Sequence, residues 1–311
     1  MGGPGAAGMS APPLFARMLD DAALFPPGNA PMGRAVPHHR ALRQGPRADY
    51  VGPFIVADAW LGDLESALAE EAAGGAGPTE ALEVTVTVPG GPAAIGPALQ
   101  RARRMPRVRV VGAEAAAVPA NAPGGSAGGD PVAAVRAAAR ALTEHLPDGA
   151  LGHVEVPRPA DPAPAMAALA AAGHRAKFRT GGTTADAFPS EAGLAARIAA
   201  AVGAGVPFKC TAGLHNAVRH TAADTGFEHH GFLNVLLAAD ALLRGARVGE
   251  AGGVLGERDG KTLAREAWAV LGDERRSRAV RAAFTGFGTC SVDEPLEDLE
   301  ALGLPPGTPP R

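Results

Sequence analysis

Short, nearly unbroken apolar runs alternate along this chain with longer segments whose apolar residues recur at helical spacing. Tyr50 to Ala57 (YVGPFIVA), Leu82 to Val88 (LEVTVTV) and Arg107 to Gly112 (RVRVVG) are rich in β-branched or aromatic residues, as buried strands are. Gly152 to Val156 (GHVEV), Lys177 to Gly182, Phe208 to Gly213 and Phe284 to Val292 (FTGFGTCSV) read the same way. Leu14 to Leu24 offers one more short strand or helix before Phe25-Pro26-Pro27-Gly28 halts regular structure. Between these runs the pattern predicts helices. Trp60 to Ala73 carries Leu61, Leu64 and Leu68 on one face, and Ile95 to Arg104 forms a shorter helix. Val132 to His145 is entered through Asp130-Pro131, and Ala163 to Ala172 is closed by Gly173. Ser190 caps a helix through Leu194, Ile198 and Val202, and Gly231 to Leu243 is apolar throughout.

Counting the segment near Leu24, about eight strands alternate with helices. Strands that are apolar throughout belong to a parallel sheet covered on both faces. Eight such units fit an α/β (β/α)8 barrel, the TIM barrel. The competing architecture is an open doubly wound parallel sheet, which would want a GxGxxG turn after an early strand; the chain has none there. The expected organisation is a single barrel domain over residues 14–304. It carries a flexible insertion at 118–131 and a charged helical excursion at 244–281, between disordered tails at 1–13 and 305–311.

Composition narrows the function classes. With 46% hydrophobic and 20% charged residues the chain reads as globular, and a net charge of −3 without a basic stripe argues against nucleic acid. No apolar run approaches the length of a membrane span, and the N-terminus lacks a signal-peptide pattern, so a cytoplasmic location is expected. Two distant cysteines, Cys210 and Cys290, make neither a disulfide framework nor a zinc site and read as small buried hydrophobes. The doublets His38-His39 and His229-His230 read as surface residues.

The chemical lead lies in three lysines among 29 basic residues: two of them, Lys177 and Lys209, sit on apolar strands. Lysine can be made neutral and act as a base or amine nucleophile, which arginine cannot. In a barrel, functional groups collect at the C-terminal strand ends, here Asp21, Glu114, Glu155, Lys177, Arg179, Lys209, Thr211, His215 and Ser291. Lys177 and Arg179 point the same way on one strand, and Lys209 on the next strand is their neighbour. Two ammonium groups that close repel, which favours loss of a proton from one of them.

Lys177-Phe178-Arg179-Thr180-Gly181 resembles the Lys-Thr-x-Thr-Gly strand of deoxyribose-phosphate aldolases, class I aldolase-type barrels. Phe208-Lys209-Cys210-Thr211-Ala212-Gly213 is similar to that family's next strand, and Gly286 to Ser291 to its last, phosphate-binding strand. The resemblance spans Lys177 to Ser291 and implies an aldolase-like lyase for a small carbonyl or sugar-phosphate substrate, needing no metal or other cofactor. It implies Lys177 as the Schiff-base nucleophile and Lys209 as the neighbour that lowers its pKa. It further implies phosphate contacts near Gly181-Gly182, Ala212-Gly213 and Thr289 to Ser291. Glu155 is the expected proton carrier and Glu114 the reserve. Arg179, Thr211 and His215 complete the expected substrate site; Arg179 and His215 depart from the family pattern. Two other readings stand beside this one. One is a metal-dependent hydrolase or isomerase using Glu155, His153, His215 and Asp21, and the other a barrel that binds an anionic ligand without chemistry. Oligomeric state is not legible.

Overall fold

The computed structural model describes residues 10–74, 80–118, 130–158 and 161–306. The barrel strands are β1 (Leu19–Asp21), β2 (Val51–Ala57), β3 (Leu82–Val88), β4 (Val108–Ala116), β5 (Leu151–Glu155), β6 (Arg175–Arg179), β7 (Phe208–Thr211) and β10 (Phe284–Thr289). A two-stranded hairpin, β8 (His220–Thr221) with β9 (Glu228–His229), interrupts the series after β7. All eight barrel strands run parallel and close in the order β1-β10-β7-β6-β5-β4-β3-β2, with β1 returning to β2. Each is followed by at least one helix, so the fold is a (β/α)8 barrel. The tails at 1–9 and 307–311 and most of the expected insertion (119–129) lie outside the described residues.

Helices follow the sequence pattern closely where apolar spacing is strong. Residues Leu61–Ala73 form α2 and bury Leu61, Leu64 and Leu68; Pro92–Arg104 form α3; Pro131–His145 form α4, where Asp130 accepts from the Val132 amide. Residues Ala163–Ala172 form α5, closed by Gly173 in the left-handed region, and Glu191–Gly203 form α6, capped by Ser190. The helix α7 (Phe232–Leu243) is buried along nearly its whole length. Three helices then make up the expected excursion: α8 (Val248–Gly256), α9 (Gly260–Leu271) and α10 (Glu274–Ala283). They pack outside the barrel against α6 and α7, and none of their residues lines the barrel mouth. A final helix, α11 (Asp293–Ala301), follows β10.

One helix was not anticipated. Residues Met32–Gln44 form α1 between β1 and β2, although Pro37 lies inside it and forgoes one backbone hydrogen bond. Its buried face is Ala35, Val36 and His39, with the His39 ring against Asp21 (Nδ1 to Oδ2, 3.0 Å). His39 is therefore a buried tie between α1 and β1 and not a surface residue.

Alternation along the strands sorts the site from the core. On β6, Lys177 and Arg179 reach the barrel mouth while Phe178 packs against Phe208 (ring centroids 5.4 Å), and Phe208 against Phe284 (5.3 Å). These rings, with Phe287 against Phe232 at 5.1 Å, bind the sheet to the helix layer. Burying such side chains supplies about 2–3 kcal/mol each, before the cost of ordering them.

Candidate active site

Five strands contribute to one charged cluster inside the barrel. Lys177 and Lys209 are register partners on β6 and β7, and Glu155 is the register partner of Lys177 on β5. The Lys177 ammonium donates to Glu114 Oε2 at 2.8 Å and lies 3.1 Å from Glu155 Oε2. Lys209 Nζ is bound by Asp20 of β1 and by the other oxygen of Glu114. Arg179 closes the set from the rim, with Nε donating to Glu155 Oε1 at 2.8 Å. Three carboxylates thus face three cations, and Glu114 bridges the two lysines.

Room for this cluster is built into the backbone. Gly52 on β2 lies so close to Asp20 that a Cβ there would come within 2.2 Å of Asp20 Oδ1. A Cβ at this position would displace that carboxylate from its place beside Lys209.

The electrostatics differ from the sequence expectation. Burial alone would lower the pKa of Lys177, but Glu114 and Glu155 outweigh it, and the pKa rises above its ordinary 10.5. Lys209 behaves alike: burial opposes, Asp20 and Glu114 prevail, and its pKa is raised. Any repulsion from Lys209 is outweighed, with Glu114 contacting both ammonium groups. Burial alone would raise Glu155, yet Lys177 and Arg179 pull it down to about 2. Glu114 is likewise held well below the usual carboxylate range by the two lysines, against its burial. Asp20 goes the other way: burial raises it in spite of Lys209. His153 is buried in register with Glu114, with both ring nitrogens unpartnered, and burial holds its pKa far down.

Above the cluster opens a cavity of about 750 Å³ at the C-terminal end of the strands. Lys177, Arg179, Glu155, Glu114, Gly182, Thr211, Gly213 and His215 line it, as the sequence reading expects. Lys209, Gly181, Thr289 and Ser291 do not. Lys209 lies beneath Glu114, its side chain 3% exposed. Thr289 and Ser291 turn on one another: Thr289 Oγ1 donates to the Ser291 carbonyl at 2.6 Å and accepts from the Ser291 amide at 3.4 Å. Cys290 lines the cavity instead, 3.5 Å from His215 Nδ1, so it is not the buried hydrophobe expected, whereas Cys210 is.

Sequence reasoning missed Asp20 as a partner of Lys209 and counted Asp21 among the strand-end groups, where it bonds His39. It also missed the hairpin. Ala222, Asp224, Thr225, Phe227 and His229 from β8 to β9 cover one side of the cavity. His230, expected at the surface, is fully buried, with Nε2 2.8 Å from the Pro189 carbonyl and Nδ1 3.2 Å from Arg219. Arg219 in turn pairs with Glu191 at 2.7 Å and Glu228 at 3.0 Å, anchoring the hairpin to α6. Among the described residues no group of three or more His, Cys, Asp or Glu side chains is placed to hold a metal ion, and no helix is long and apolar enough to cross a membrane.

A scan against protein-family models finds no match, and searches of curated proteins and of solved structures find none either.

Proposed function

We propose that the protein is an aldolase-like lyase that acts on a carbonyl substrate through an imine on Lys177. One observation carries the reading: Lys177 faces the cavity with its nitrogen held between two carboxylates, while Lys209 lies behind and offers no surface to it. A pocket that raises the pKa of an amine stabilises positive charge at that nitrogen. The iminium formed from the amine carries the same charge in the same place, so the field that holds the ammonium also favours the protonated imine.

In the proposed sequence the Lys177 ammonium passes a proton to Glu114, and the free amine adds to the carbonyl carbon as one of its remaining protons moves to the carbonyl oxygen. Glu114 returns that proton to the departing hydroxyl, water leaves, and the nitrogen ends as an iminium. Charge is conserved throughout, since the cation is converted and not removed. The iminium then accepts the electron pair of the bond between its α and β carbons as that bond breaks, while the substrate's β-hydroxyl gives its proton to Glu114, ionised again by then, leaving an enamine and a second carbonyl product. Glu114 suits the proton role better than Glu155 by geometry. It touches both lysines, whereas Glu155 is also held by Arg179. Its low pKa belongs to the resting site and rises once Lys177 is neutral, because that ammonium is the leading attraction on it.

Borohydride added with a carbonyl compound should leave a stable adduct on the peptide containing Lys177. Lys177→Arg keeps the charge and abolishes the adduct, since a guanidinium forms no imine. If the folded protein gave no adduct across a broad carbonyl panel, the reading would fall, and binding of an anionic ligand without chemistry would replace it.

A further inference from the structure

The backbone stretches that the resemblance assigns to a phosphate are crowded by an aromatic ring or turned on themselves. Gly181 and Gly213 pack against each other, and a Cβ on Gly181 would meet both Gly213 Cα and Phe188 Cε1 at 2.9 Å. A Cβ on Gly213 would meet the same Phe188 carbon at 3.3 Å. The Phe188 ring therefore lies against both glycine turns. In the third stretch the Thr289 hydroxyl and the Ser291 amide are spent within the Thr289–Ser291 pair described above.

Charge points the same way. The cations lining the described part of the cavity are Lys177 and Arg179, and both are paired with carboxylates. His215 and His229 also line it, but burial lowers both below the ordinary histidine value, and Asp224 adds a negative charge at the rim. A phosphate dianion would meet a site whose positive charge is already balanced. Much of the remaining wall is apolar, with Phe25, Ile55, Val88, Phe188 and Phe227 alongside four threonines. Phe188 and Phe227 stand with ring centroids 5.4 Å apart. The cavity falls in the upper part of the roughly 300–1,000 Å³ range of small-molecule sites.

We infer that the carbonyl compound accepted here carries an aryl-sized or medium-chain alkyl group, seated against Phe188 and Phe227, and no phosphate. The carbonyl end of this inference rests on the lysine-imine reading; the apolar end rests on the cavity wall alone.

The test uses the full chain and two ligand pairs. Adduct formation under borohydride is compared for 4-phenylbutan-2-one and 3-phenylpropanal against dihydroxyacetone phosphate and glyceraldehyde 3-phosphate, by intact mass. Binding of 4-phenylbutan-2-ol, which forms no imine, is measured alongside by calorimetry. The phenyl carbonyls should give at least about tenfold more adduct at equal concentration, the scale expected from burying one aromatic group. Phe227→Ser should cut both adduct yield and alcohol binding about tenfold, and Phe227→Leu should restore most of each. Equal or better labelling by the phosphorylated compounds would overturn the inference and leave the lysine reading intact. Alcohol binding that Phe227→Ser weakens, without adduct from any carbonyl, would support the apolar site and sink the lysine reading. Failure of the alcohol to bind, with unequal labelling absent, would overturn the inference.

Discussion

At the scale of single residues, the proton inventory of the cage makes two predictions. The reactive arrangement, with neutral Lys177 and protonated Glu114, holds as many protons as the resting ion pair. Imine formation, quenched by reduction at one fixed pH, should therefore be flat from about pH 6 to about pH 9 in the wild type. In Glu114→Gln the Lys177 proton must leave for solvent, so the rate should fall overall and rise about tenfold per pH unit over that range. Glu155→Gln should keep the flat profile. If instead Glu155→Gln acquired the slope and Glu114→Gln did not, the proton role would pass to Glu155.

Stability should follow the same groups with opposite signs at the two ends of the pH scale. Glu155 titrates near 2 in the fold against an ordinary 4.5, and Glu114 is also depressed, so folding favours their ionised forms. That stabilisation is complete above about pH 4.5 and is lost as pH falls through the folded values. Asp20, raised by burial, has the opposite sign and offsets part of the acid loss. Lys177 and Lys209 lie above 10.5, so their contribution holds below that pH and disappears as pH rises through their folded values. Denaturant midpoints should be level from about pH 7 to about pH 9 and fall on both sides. The acid fall begins where the histidines that burial holds down, His153 foremost, take up protons on unfolding, and the alkaline fall where the buried Cys210 thiol ionises on unfolding. A midpoint that climbed between pH 8 and pH 10 would show a lysine with a depressed pKa and contradict the arrangement.

Among secondary-structure elements, legibility tracked the strength of the apolar pattern. Strand β3 and helix α5 match the sequence reading residue for residue because Leu82–Val88 repeats valine at every second position up to a Pro-Gly-Gly stop and Ala163–Ala172 ends at a glycine. Helix α1 was invisible because its buried face has two apolar residues and a histidine that bonds Asp21, too little apolar spacing to read. The hairpin escaped because its strands are two residues each, too short for a period to show. Its support is instead a buried amide. Asn234 on α7 accepts from the Arg219 amide at 2.9 Å and donates to the Val254 and Glu257 carbonyls at 2.9 and 2.8 Å. Asn234→Ala should cost about 3 kcal/mol by leaving buried groups without partners. It should also speed limited proteolysis between β8 and β9 before it affects the barrel strands.

For the molecule as a whole, the sequence carried the closed barrel and both lysines to the correct strands, but not the phase of the carboxylates. Strand β1 is three residues long, and its register against β2 shifts between Leu19 and Asp21. Nothing in Asp20-Asp21 tells which one turns inward. Glu114 was placed at a strand exit, yet β4 continues to Ala116, and an irregularity opposite Val84 and Thr85 resets which side chains point inward. Side-chain direction flips with each residue, so one residue of misplaced register changes a partner completely.

The bond between Lys209 and Asp20 joins residues 189 positions apart, and it crosses the seam where the first strand meets the strands of the C-terminal half. The cluster therefore acts as a clasp as well as the proposed reaction centre. An unclosed sheet leaves Lys209 with Glu114 alone, so the mature charge pattern comes into being only when the ring shuts. Asp20→Asn should loosen that clasp selectively, with faster amide hydrogen exchange in β1 and β10 than in β3 and β4. Uniform exchange across all four strands would show that the barrel opens elsewhere. On this view the chain cannot present its amine in a finished setting before its two ends have found each other.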